Sequence, residues 1–507
     1  MKKYLLATIV FASLQSLIAQ KANYGIFDAN ADIGNVFHRG STVYNPATQE
    51  YMVTGSGANI WGDHDEFHFV WKKMKGDFIL RANATFLGKG TDPHRKTGWM
   101  VRSSLDTSSA HVSAVVHGDG LSSLQFRRDK GMETEEKKSA IQAPGVIQLE
   151  RKGNNYIMSV AKNGELFNSE QIDSITLGDE VYVGLFVCSH NKNVKEKVRL
   201  HNVRIVTPVW PGFVQYTDYL GSMLEILDVQ TAKSQIIYQS PRSLQAPNWT
   251  LDGGSLIYNS DGLLYRFSLK NKKPVVIPSD FATSNNNDHV ISFDGKALAI
   301  SHHSKDDNNT SIIYTMPLSG GIPKRVTAKG PSYLHGWSPD GKYLAYCAER
   351  NNNYDIYIIP SKGGEEIRLT TAPGLDDGPE YSPDGRYIYF NSVRSGTMQL
   401  WRMKPDGSEQ LQLTNDGLNN WFPHISPDGK WIAYLSFGKD VSPSDHPFYK
   451  HVYLRLMPVQ GGPSKVIAYL YGGQGTINTP SWSPDSNKLA FVSNSNLLFN
   501  IFPIEKR

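Results

Sequence analysis

The chain has 507 residues and a net charge of +4, with 20% charged and 39% apolar residues and with glycine (44), proline (27) and aromatics (11%) in good supply. That length exceeds what one hydrophobic core usually serves, and the mix of turn formers and aromatics favours many short strands. Lys and Arg form no run that would track a phosphate backbone, which weighs against a nucleic-acid partner, and two cysteines, Cys188 and Cys347, are too few for a disulfide framework or a Cys-built zinc site.

At the N-terminus, Lys2 and Lys3 precede a mostly apolar run over residues 4–18 and the small residue Ala19. This is the pattern of a signal peptide over residues 1–19. It is short and wrongly flanked for a membrane anchor, and no later stretch is long and apolar enough to span a bilayer. The expectation is an exported protein, periplasmic or extracellular and soluble once the signal is removed.

Residues 23–207 read as a series of alternating strands, among them Phe67-His-Phe-Val-Trp71, His111-Val-Ser-Ala-Val-Val116 and Val181-Tyr-Val-Gly-Leu-Phe-Val187. Period-2 strands separated by polar turns predict a two-sheet sandwich. The runs Gly55-Ser-Gly-Ala-Asn-Ile-Trp61, Gly76-Asp-Phe78 and Gly98-Trp-Met-Val-Arg102 resemble a concanavalin-like jelly-roll module, which implies a carbohydrate-facing accessory domain. Trp61, Asp63, His64, Asp65 and His68 crowd one segment, where a rim site for sugar or calcium competes with burial of Phe67, Phe69 and Trp71 in the core.

Pro208 and Pro211 mark a linker, and a second domain over residues 209–507 follows with an internal repeat. Its phrases are Trp249-Thr-Leu-Asp-Gly253, Ser292-Phe-Asp-Gly295, Trp337-Ser-Pro-Asp-Gly341, Tyr381-Ser-Pro-Asp-Gly385, Ile425-Ser-Pro-Asp-Gly429 and Trp482-Ser-Pro-Asp-Ser486. Pro presets φ, Asp bonds back to its own backbone and Gly accepts a positive φ, so each phrase predicts a tight turn and makes its Asp structural. An apolar strand follows each turn, and four short strands in about 45 residues make a propeller blade. These units resemble the TolB propeller repeat. The expected architecture is all-β: a jelly-roll β-sandwich, then six blades, the strands near Met223 and Ser234 completing the last one. Seven blades result if residues 209–219 and 497–503 add strands.

The resemblance implies a ligand site at one mouth of the central channel, fed by the loops that enter the innermost strands. The residues before each turn phrase are the candidates there. His335, His424 and Glu380 form a catalytic set in one reading, with a histidine as base near neutral pH. Asn248, His289, Trp421, Gln474 and Asn478 would bind ligand, together with His446 and His451 from the longest insertion between repeats. Oligogalacturonate lyases are propellers with related repeats and a metal-binding mouth, so a divalent metal is conceivable. Their Gln-x-x-His-x-His motif is absent, because Ile477 and Thr479 stand at those offsets from Gln474. Two functions compete: recognition of a glycan or of a periplasmic or outer-membrane protein, and a lyase or hydrolase acting on acidic oligosaccharides. Convergence of the candidate side chains on one point favours the enzyme; their use in bonds between blades favours recognition.

Overall fold

In the N-terminal region every strand pairs antiparallel with its neighbours, forming two seven-stranded sheets. The computed structural model describes residues 23–497, so the signal-peptide segment and residues 498–507 lie outside it. The first sheet centres on Phe67–Lys75, Glu180–Cys188, Lys96–Arg102 and His111–His117. The second centres on Val146–Lys152, Phe78–Leu87 and Glu196–Val206. Alternation sends Val70, Trp99, Val101 and Val112 of the first sheet and Leu80, Ile147, Leu149 and Leu200 of the second into one buried cluster. Each such side chain contributes on the order of 1.5–3 kcal/mol by leaving water.

The opposite face of the first sheet is buried as well. Phe67, Phe69 and Trp71 pack there with Met100 and Phe186. Beside them Arg102 and Arg127, both fully buried, flank Asp65 at 3.3 and 2.7 Å. His68 contacts Asp32 at 2.8 Å and Thr42 at 3.1 Å. Asp65 and His68 are thus engaged inside the fold rather than at a rim.

The remaining strands form six sheets arranged as six blades. Blade 1 comprises Gln245–Trp249, Ser255–Ser260, Leu263–Ser268 and Lys273–Val276. Blades 2 to 5 repeat this order, with inner strands Asn285–Ile291, Ser332–Trp337, Asp376–Tyr381 and Asn419–Ile425. Blade 6 closes the ring: Lys488–Ser495 pairs with Gly221–Asp228, which pairs with Lys233–Ser240, and Trp482 bridges to Leu489 on the inner side. The earliest propeller strands therefore complete the last blade.

The turn phrase works as its chemistry requires. Ser338 Oγ and the Lys342 amide both donate to Asp340 Oδ1 (2.7 and 3.1 Å), and Gly341 takes φ +71°. Hydrogen bonds from Ser338 and Lys342 hold the Asp340 carboxyl down at about 2. Ser486 adopts φ +62° where the other phrases place Gly. The aromatic that opens a phrase also ties blades together: Trp337 Nε1 donates to the Val290 carbonyl and Trp482 Nε1 to that of His424, both at 2.9 Å.

The N-terminal sheets rest against blades 5 and 6. Arg204 reaches Glu225 at 2.6 Å, His451 reaches Glu150 at 3.0 Å, and the Val466 amide donates to the Gly164 carbonyl at 2.9 Å. Cys188 and Cys347 are free and buried.

Candidate functional site: the propeller mouth

Each of the five inner strands Gln245–Trp249 to Asn419–Ile425 carries a register shift midway along its pairing with the next strand. Ala246, Gly378 and Phe422 take φ between +55° and +61° at that place. A bulge re-aims the side chains beside it, and here it occurs where the strands enter the central channel.

The result is a cavity of about 900 Å³ at the end of the ring where the inner strands begin. It is lined by Asp288, His335, Asp377 and Asn478, together with Asn285, Tyr333, Phe422 and Gln474. His446 arrives from the insertion over residues 438–449, and Tyr216 and Tyr219 from the interdomain linker. The linker is fixed there by aromatic contacts, Tyr216 and Tyr219 lying 5.5 and 6.0 Å from the Phe448 ring.

Within it, His335 Nε2 meets Asp377 Oδ1 at 3.1 Å, and the His335 ring stacks on Phe422 at 5.7 Å. Asn478 Nδ2 donates to Asp288 Oδ1 at 2.5 Å and Asn286 Nδ2 to Asp288 Oδ2 at 2.7 Å. His446 packs on Trp421 at 4.5 Å. The two carboxyls are pushed in opposite directions. Burial, with the Asp377 charge adding to it, lifts Asp288 to about 6. Burial would lift Asp377 too, but the His335 imidazole outweighs it and holds Asp377 below the usual carboxylate value. Burial alone would lower His335; Asp377, backed by Asp288, holds it above its ordinary value instead. Burial lowers His446 despite its proximity to Asp377. Three Asp and three His line the cavity, and no Lys or Arg does. It therefore favours uncharged or cationic groups. The Oδ1 of Asn478 and the Oε1 of Gln474 are buried acceptors without a hydrogen-bond partner, so the amides add unfilled acceptor capacity.

The sequence candidates divide into two groups. His335, Gln474, Asn478 and His446 line the cavity. The others are engaged in the ring itself or, for His451, in its junction with the N-terminal sheets. Glu380 Oε1 accepts the Ile425 amide at 2.9 Å, and Asn248 Oδ1 accepts that of Ile291 at 3.1 Å, each linking its own blade to the next. His424 Nδ1 meets Glu380 Oε2 at 2.6 Å, and its Nε2 meets the Ile477 carbonyl. His289 is fully buried beside the Ile257 carbonyl at 3.3 Å and is lowered to about 4 by burial. Trp421 is fully buried behind His446, and His451 sits at the junction with the N-terminal sheets, paired with Glu150. The structure does not bring His335, His424 and Glu380 together as one catalytic set, since only His335 faces the cavity. Asp288 was not singled out from sequence, although the polar run Asn285-Asn-Asn-Asp288 in an otherwise apolar inner strand signals it. Among the described residues, no group of three or more His, Cys, Asp or Glu is arranged to hold a metal ion.

A family model described as the TolB beta propeller domain, PD40, matches residues 329–444, which span blades 3 and 4 and the first two strands of blade 5. The uncharacterized protein Atu1656 of Agrobacterium fabrum is 45% identical over 287 residues, 56% of this chain and 94% of that protein. A TolB-like structure from Agrobacterium tumefaciens is 44% identical with a TM-score of 0.53, covering 57% of this chain and 100% of its own. This chain belongs to the TolB β-propeller family. The span shared with these TolB relatives is about the length of the propeller alone. An oligogalacturonate lyase in complex with manganese is 13% identical with a TM-score of 0.37 over 74% of this chain and 96% of its own, too distant to lend this TolB propeller its reaction.

Proposed function

We propose that this chain is an exported recognition protein whose TolB-type propeller binds an uncharged or cationic segment of a glycan or protein partner in its mouth. The observation that supports this most is the division of polar groups. Glu380, His424 and Asn248 are bonded within the ring, while the cavity presents amides, tyrosines and carboxylates without a single Lys or Arg. Amides and carboxylates are acceptors for hydroxyl and ammonium donors, and Tyr216 and Tyr219, 60% and 45% exposed at the rim, offer faces for apolar or sugar-ring contact. An acidic oligosaccharide would meet no basic counter-charge beyond histidine there.

In this reading the N-terminal sheets, residues 23–207, are a concanavalin-like jelly-roll accessory module, and residues 209–507 are the binding domain. Two antiparallel sheets sharing one core support that assignment. Export rests on the signal-peptide pattern of residues 1–19, and among the described residues no helix is long and apolar enough to cross a membrane.

The test is titration of residues 20–507 with neutral oligosaccharides, acidic oligosaccharides and amine-terminated peptides, read by calorimetry and by mass spectrometry of the ligands. The expected result is saturable binding of a neutral or amine-bearing ligand, weakened at least tenfold by Asp377→Asn, with every ligand recovered intact. Cleaved or unsaturated sugar products would replace recognition with catalysis.

A further inference from the structure

A second cavity, of about 370 Å³, lies away from the mouth, where the N-terminal sheets meet blades 5 and 6. One wall comes from the second N-terminal sheet and its loops, with Arg81, Asn83, Asn163 and Asn202. The facing wall is propeller, including Lys233 and Lys465.

The cations of this crevice are unequally matched. Arg204 is paired with Glu225 at 2.6 Å, and Lys233 with Glu50 at 2.5 Å. Arg81 forms no ion pair among the described residues; its one hydrogen bond is a 3.4 Å contact to Gln148 Oε1. It is nonetheless buried, 6% exposed, on the strand Phe78–Leu87. A guanidinium carries five N–H donors and does not deprotonate under ordinary conditions, and burying it without a counter-charge is costly. Burial, and then the nearby Arg204 charge, lower Arg81 to about 10 against the opposing pull of Glu225; Glu225 also lines the crevice, but its carboxylate is taken up by Arg204, Ser234 and Ser493. Lys465 adds a further positive charge with no ion pair among the described residues, its ammonium lying 6.0 Å from the Trp431 ring, and the amides of Asn83, Asn163 and Asn202 form a hydrogen-bonded row along the wall. Four cations line the crevice against one carboxylate, Glu225, the reverse of the mouth.

We propose that the crevice between the N-terminal sheets and the propeller is an oxyanion site, in which the Arg81 fork binds a sulfate, phosphate or carboxylate group, free or carried on a sugar. A planar fork of N–H donors matches the paired oxygens of these groups. The volume exceeds what one inorganic ion fills, which leaves room for an attached sugar. Because its walls come from both halves of the chain, an anion here would also join them.

The test uses the full mature chain with sodium sulfate, sodium phosphate and sodium D-glucuronate, each against sodium chloride at matched ionic strength, read by calorimetry and thermal shift. Wild type should bind at least one of the three saturably. Arg81→Gln should weaken that binding at least tenfold. Lys465→Glu, an exposed change that leaves the core intact, should weaken it severalfold and guards against misfolding of the Arg81 variant. Tighter binding of glucuronate than of the inorganic ions would assign the site to an acidic sugar, and the converse to a free ion. Shifts that grow linearly with salt and match in all three proteins would overturn the site, as would saturable binding unchanged in both variants.

Discussion

Asp288 and Asp377 line one cavity with opposite proton affinities, and the difference lies in their neighbours. Asp377 has an imidazole at 3.1 Å, whereas Asp288 has only neutral amides within bonding distance. The pKa of Asp288 rises from 3.8 to about 6 on folding, so the native state holds that proton more tightly than the unfolded chain. Its stabilising share is complete below about pH 4 and is lost as pH rises through 6. Asp288→Asn removes this loss. The variant should gain on wild type by up to about 3 kcal/mol between pH 4 and pH 7.5, read as urea midpoints at the two pH values. A constant difference across that range would show that Asp288 is not held protonated. In the N-terminal sheets, Asp65→Ala leaves Arg102 and Arg127 buried without a counter-charge. A loss of about 3–5 kcal/mol is expected from denaturation of the full chain.

Blades are the elements that repeat, and the bonds between them explain why the repeat keeps certain residue types. Position-equivalent residues Asn248 and Glu380 each use a side-chain oxygen to accept the amide three residues before the next blade's turn Asp. Glu380→Ala leaves the Ile425 amide and His424 without that acceptor and should cost about 1–3 kcal/mol. Glu380→Gln keeps an acceptor oxygen and should cost less than half as much. Ligand binding at the mouth should survive Glu380→Gln with an affinity within threefold of wild type, because the side chain faces the ring and not the cavity. Loss of binding with stability unchanged would instead make Glu380 a ligand contact.

At the scale of the whole molecule, one long-range strand pairing closes the ring and a buried ion pair ties the ring to the N-terminal sheets. The strand Lys488–Ser495 pairs with Gly221–Asp228, which lies some 270 positions earlier, and Ser493 Oγ donates to Glu225 Oε1 at 2.6 Å within that pair. Glu225 also receives Arg204 from the N-terminal sheets. One buried carboxylate thus links the closing strand, the first propeller strand and the other half of the chain. Glu225→Ala should destabilise the protein by about 3–5 kcal/mol, and adding Arg204→Met should recover part of the loss by removing the stranded cation. A double-mutant cycle in urea measures the coupling; a coupling near zero would show that the two halves are held by other contacts.

Much of this was written in contiguous residues. The turn phrases, the aromatic before most of them and the apolar strand behind each one are local chemistry, and they determined a bladed β architecture; the choice of six blades over seven came with the pairing that closes the ring. The sequence also marked His335, His446, Gln474 and Asn478, because polar residues stand out at strand entries and in long insertions. It could not separate them from His424, Glu380 and Asn248, which occupy similar repeat positions. That separation depends on bulges that turn one side chain toward the axis and its neighbour toward the next blade, and a bulge is set by pairing between strands. The Arg81 crevice was beyond sequence for the same reason: whether a cation is paired depends on which distant carboxylate the packed halves bring near. Local turn and strand preferences decided the blades, while closure of the ring and the docking of the N-terminal sheets decided which polar groups face a cavity and which are consumed in holding the structure together.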